Sequence, residues 1–109
     1  MCHRRATLVD KHWKAVERWV ADKIGGKRIP ITGRGKMDIE HEWLSPEVKD
    51  RKELPDWFTD AVEQARINAD GKLAVVFLVP RPKPGHKRTA YVVMDLDDFI
   101  EHFNPKGSA

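Results

Sequence analysis

Apolar residues recur at helical spacing over residues 7–24, where Val9, Trp13, Val16, Val20 and Ile24 form one stripe. Thr7-x-x-Asp10 resembles a capping box and Gly25-Gly26 supplies a stop, so a helix is predicted between them. Residues 27–32 read as a short strand whose Pro30 points to an edge or a bend. A hairpin is then predicted over roughly 36–51. In its first strand Asp38, Glu40 and Glu42 alternate with Met37, Ile39, His41 and Trp43, which lines the carboxylates on one face. Leu44-Ser45-Pro46 interrupts the alternation and marks a turn or bulge, and His41 falls on the apolar face as a packed side chain.

A second helix opens at Pro55 and stops at Asp70-Gly71, with Trp57, Phe58, Ala61, Val62, Ala65 and Ala69 as its buried face. The apolar run within residues 72–79 has the pattern of a strand covered on both sides. A basic turn over 80–87 leads to a strand at 88–94. Residues 95–103 form a last helix capped by Asp95 or Asp97, and 104–109 a tail. The order αβββαββα is that of an α/β fold, a mixed central sheet flanked by helices. At 109 residues one domain is expected, with short flexible tails at both ends.

Charge is unevenly spread. Residues 1–36 carry ten Lys/Arg against three acids, and residues 37–70 four against ten. Such a division suits a nuclease, with cations for phosphates and carboxylates for metal, and equally suits two regions that neutralise one another. No run reaches the ~18 apolar residues of a membrane span. No apolar signal-peptide core follows the basic start, and the single cysteine, Cys2, forms no internal disulfide, so a cytoplasmic location is expected. Gly33-Arg34-Gly35-Lys36 lacks the pattern of a nucleotide-binding loop, which argues against a nucleotide cofactor.

The chemistry concentrates at Asp38 and Glu47-Val48-Lys49. In an extended strand Glu47 and Lys49 share one face while Val48 turns inward, and an even-length loop would bring Asp38 to the same side. Two carboxylates beside an ammonium suit a divalent-metal phosphodiesterase. The alternative is a charged hairpin face. Glu17 borders the apolar stripe of the first helix, either snorkelling to solvent or reaching a site, and Gln64 stands at the border of the second helix. Arg4, Arg5, Lys27, Arg28, Arg34, Lys36, Arg51 and Lys52 are the candidate phosphate contacts, with the 81–88 turn next.

The motif Asp38…Glu47-x-Lys49, set between a preceding helix and a following one, resembles the core of the PD-(D/E)XK nuclease superfamily. The stretch Ile31-Thr32-Gly33-Arg34, residues 43–51 and Asp60-Ala61-Val62-Glu63-Gln64-Ala65-Arg66 resemble more closely the bacteriophage and archaeal-type Holliday-junction resolvases. That resemblance implies a restriction-endonuclease-like core and a Mg²⁺- or Mn²⁺-dependent endodeoxyribonuclease, with one or two ions per site. It implies ligands from Asp38, Glu47, the Val48 carbonyl and Glu17, with Lys49 on the attacking water or the phosphate. It further implies branched, four-way DNA as substrate, a homodimer making paired symmetric cuts, and a host-cytoplasmic location if phage-encoded. A general repair or restriction endonuclease, a non-catalytic nucleic-acid-binding module on the same fold, and a protein-interaction factor are the rival readings.

Overall fold

A computed structural model describes residues 2–29 and 39–107, with the side chains of the first helix described from His12 onward. The described chain is a small mixed α/β protein with three helices and two two-stranded antiparallel sheets. In order these are α1 (Cys2–Ile24), β1 (Lys27–Arg28), β2 (Ile39–Glu40), α2 (Asp56–Ile67), β3 (Val76–Leu78), β4 (Tyr91–Val93) and α3 (Leu96–Phe103). Packing divides the chain into two compact units, residues 1–52 with 103–109, and residues 53–102. No helix among the described residues is long and apolar enough to cross a membrane.

In the first unit the ribbon β1–β2, paired Lys27 with Glu40 and Arg28 with Ile39, lies against α1. The helix begins at Cys2 and runs through Thr7, which is therefore not its N-cap, but it ends where the sequence predicts. Gly25 adopts φ +73° and the Gly26 N–H returns to the Ala21 carbonyl at 2.8 Å, the six-to-one bond of a Schellman end. Gly26 also allows the close approach of β2, since a Cβ there would stand 2.7 Å from the Ile39 methyl and 2.9 Å from the Glu40 carbonyl oxygen. Among the described residues, the buried side chains of this unit are Glu17, Ala21 and Ile24 on α1, Ile39 on β2, and Pro105. The burial stripe therefore runs through Glu17 and Ala21, while Trp13, Val16 and Val20 are half-buried.

Three expectations are corrected. No strand forms over residues 41–55, so the ladder expected at 47–49 is absent, and the described elements run αββαββα. Pro46 has no N–H to donate and breaks any ladder at its start. The strand β3 is not covered on both sides: among the described residues it pairs with β4 alone, and Phe77 is 67% exposed. Trp57 is likewise exposed: the half-buried side of α2 runs through Phe58, Ala61, Val62 and Ala65, and Trp57 stands at its edge.

In the second unit α2 lies against β3, and α3 begins with the side-chain cap expected of Asp95. Its Oδ1 accepts the N–H groups of Asp97 at 2.8 Å and Asp98 at 3.4 Å, and its Oδ2 accepts from Arg66 Nη2 at 2.9 Å. Partial burial pushes the carboxyl pKa up, but the two amides and the Arg66 guanidinium outweigh it and hold it below the usual carboxylate range. A carboxyl lowered on folding stabilises above its unfolded value of about 4, and that contribution fades as pH falls through the folded value. Asp95→Ala is expected to cost about 1 kcal/mol at neutral pH and less in strong acid, where the neutral carboxyl keeps only its carbonyl acceptor. Urea unfolding, with amide exchange along α3, measures it.

Candidate functional site

From Leu44 to Asp50 the chain has no regular secondary structure and no partner strand among the described residues, yet its burial keeps the alternation of a strand. Leu44, Pro46, Val48 and Asp50 are half-buried, whereas Ser45, Glu47 and Lys49 are exposed. Two residues apart, Glu47 and Lys49 share one side, and Lys49 Nζ reaches Glu47 Oε1 at 2.9 Å. Both side chains are about two-thirds exposed. The hydrogen bond from Lys49, and then its charge, hold the Glu47 carboxyl below the usual carboxylate range. Val48 turns the other way, as its alternation requires.

Two contacts hold this segment to α1. His12 Nε2 on the helix meets Asp50 Oδ2 at 3.2 Å. His41 acts as a junction at the segment's start. Its Nδ1 accepts the backbone N–H groups of Trp43 and Leu44 at 3.2 and 3.1 Å, which places the ring proton on Nε2. That N–H donates to the carbonyls of Ile24 and Pro105, each at 2.8 Å, tying the end of α1 to the chain after α3. His41 is thus a packed histidine with both nitrogens occupied.

Glu17 is 1% exposed, deeper than an edge position would give. Its Oε1 accepts a 2.7 Å charge-assisted bond from Arg28 Nε, and Oε2 has no partner among the described residues. Arg28 also lies over the Trp13 ring, 6.0 Å from its centroid. Of the two alternatives read from the helix pattern, snorkelling to solvent is excluded: the carboxylate is buried and pairs inside with Arg28. Arg28 is correspondingly withdrawn from the role of a free phosphate contact.

The remaining expected residues distribute as follows. Asp38, Arg34 and Lys36 lie outside the described residues, as does the predicted strand beyond Ile29. Arg4 and Arg5 fall on α1, with side chains outside the described set. Lys27, Arg51 and Lys52 are exposed in the first unit, and Gln64 is exposed on α2 in the second. Among the described residues no three His, Cys, Asp or Glu side chains gather to hold a metal ion. The donors that are described have the right chemistry for Mg²⁺, namely carboxylate oxygens at Glu47 and an unpartnered buried carboxylate oxygen at Glu17. The Val48 carbonyl is a further oxygen of the expected set, and Asp38 lies outside the described residues.

The Glu17–Arg28 pair and the His41 junction are what sequence reading missed. A signal for the first exists, since Glu17 stands at i+4 from Trp13 and i−4 from Ala21, on the seam itself. Searches of protein-family models, curated proteins and solved structures return no match for the chain.

Proposed function

We propose that this chain is a metal-dependent, structure-selective endodeoxyribonuclease on a restriction-endonuclease-like core, cutting four-way DNA junctions in pairs as a homodimer. The observation that carries the reading is the Glu47–Lys49 pair. Both side chains are exposed, on one side of their segment, with a 2.9 Å contact between them and Val48 turned inward. In this reading Asp38, Glu47 and the Val48 carbonyl hold Mg²⁺ or Mn²⁺, with Glu17 nearby. The bound ion supplies Lewis-acid charge stabilisation and an acidified water. Lys49 presents its ammonium to the phosphate, offsetting charge on the pentacovalent phosphorus and orienting the attacking water. Lys27, Arg51 and Lys52, exposed in the same unit, contact backbone phosphates, which favours recognition of DNA shape over base sequence. Two symmetric cuts need two such sites, hence the twofold dimer.

A second reading is favoured by one feature. The two described carboxylates of the expected set are each already neutralised by a cation, Glu17 by Arg28 and Glu47 by Lys49. That is compatible with a nucleic-acid-binding module that does not cut.

Incubation of labelled four-way junction and matched linear duplex with Mg²⁺ or EDTA separates the two. Paired nicks in the junction alone, dependent on Mg²⁺ and abolished by Asp38→Asn with junction binding retained, are the expected result. Equal cutting of the duplex would reduce the assignment to a general endonuclease. Binding without any cutting would establish the second reading.

A further inference from the structure

We propose that the β3–β4 ribbon and its connecting loop form a binding surface for single-stranded nucleic acid. The inference goes beyond the nuclease reading: it concerns the second unit and holds whether or not this chain cuts DNA.

Residues 71–94 contain five Lys/Arg and no Asp or Glu, in a chain that is otherwise rich in both signs. Four of the cations, Arg81, Lys83, Lys87 and Arg88, lie in the loop between the strands, and all four are exposed. None makes an ion pair or side-chain hydrogen bond among the described residues. Pro80, Pro82 and Pro84 alternate with Arg81 and Lys83, so those two cations stand on a stiff backbone whose ordering costs little further entropy on binding. A turn closed by the His86 N–H on the Lys83 carbonyl, at 2.9 Å, brings Lys87 and Arg88 back toward β4.

The ribbon that carries this loop has one half-buried face and one open face. Val76, Leu78 and Val93 are half-buried on the first, where Tyr91, opposite Leu78, is exposed at the loop end. On the other, Phe77 is paired across the strands with Val92, and they are 67% and 58% exposed. One exposed aromatic ring on the ribbon that carries a row of unpaired cations matches the two parts of an unpaired nucleic-acid strand, base faces and phosphates. A duplex presents phosphates but keeps its base faces stacked inside, which leaves Phe77 without a role. A second copy of this chain would set the same cations against each other, which is electrostatically unfavourable.

The test is fluorescence anisotropy of the full chain with a labelled oligothymidine strand and with a duplex of equal length, in EDTA so that cutting is silent. Tighter binding of the strand is expected. Phe77→Ala is expected to weaken it about five- to a hundredfold with duplex binding unchanged, and Phe77→Trp to retain it. Replacing Arg81, Lys83, Lys87 and Arg88 together by Gln is expected to flatten the log–log salt dependence by about three, at ~0.7 per phosphate contact on a single strand. The quadruple variant changes only exposed loop side chains and so tests the surface even if Phe77→Ala unfolds. Equal affinity for strand and duplex with no effect of Phe77→Ala, an unaltered salt slope, or binding to anionic lipid vesicles but to neither oligonucleotide would overturn the proposal. Loss of junction cutting with this strand binding intact would count against the nuclease reading alone.

Discussion

Arg28→Ala is expected to destabilise the chain by about 3–5 kcal/mol, the largest stability effect of any single substitution considered. Glu17 sits at 1% exposure with one oxygen bonded to Arg28 at 2.7 Å and the other unpartnered among the described residues. Removing the guanidinium strands a carboxylate where water does not reach it, and the contact of Arg28 with the Trp13 ring is lost as well. Replacing both partners by leucine removes the charge together with its partner, so the double variant is expected between neutral and modestly stabilised. Urea unfolding of the two singles and the double closes the cycle. A cost under about 1 kcal/mol for Arg28→Ala would mean the pair is solvated. The same cycle bears on Glu17's expected place among metal ligands. A pair member loses stability when changed to Gln, whereas a ligand loses Mg²⁺-dependent cutting at unchanged stability.

Lys49→Ala is expected to do the opposite, lowering junction cutting by about a hundred- to a thousandfold while moving stability by less than about 0.5 kcal/mol. Its ion pair with Glu47 is exposed on both sides, and solvent screening leaves such pairs little net worth to folding. In the proposed reaction the ammonium counts only where negative charge gathers on phosphorus, so the loss falls on turnover. The substitution also removes the hydrogen bond and charge that keep the Glu47 carboxyl low. Its titration, followed by carboxyl-carbon NMR, is expected to return to the usual carboxylate range. Unchanged cutting by Lys49→Ala would sink the role given to Lys49, and an unchanged Glu47 titration would deny the contact between them.

Part of the helix limits was legible, because such limits depend on neighbours in the chain; the start of α1 at Cys2, ahead of Thr7, and the end of α2 at Ile67, ahead of Asp70-Gly71, were not. The stop at Gly25-Gly26, the start after Pro55 and the Asp95 cap each stand where the residue types require them. The same-side placement of Glu47 and Lys49 was legible, since alternation of sides does not need a ladder. Covering was not. The run 73–79 reads as a strand buried on two sides, but burial depends on what the fold lays against it, and only one side of β3 is covered.

What the sequence determined by itself is the local part of this protein: three helices, the glycine end of α1 and the cap of α3, a Glu-x-Lys pair on one side of its segment, and a hairpin empty of acids. Only the tertiary structure decided which charges meet across the chain. Glu17 and Arg28 are eleven residues apart, and His41 reaches carbonyls seventeen and sixty-four residues away. Such partners are selected by the desolvation of whole packed surfaces, and no spacing rule within a window of residues carries that information.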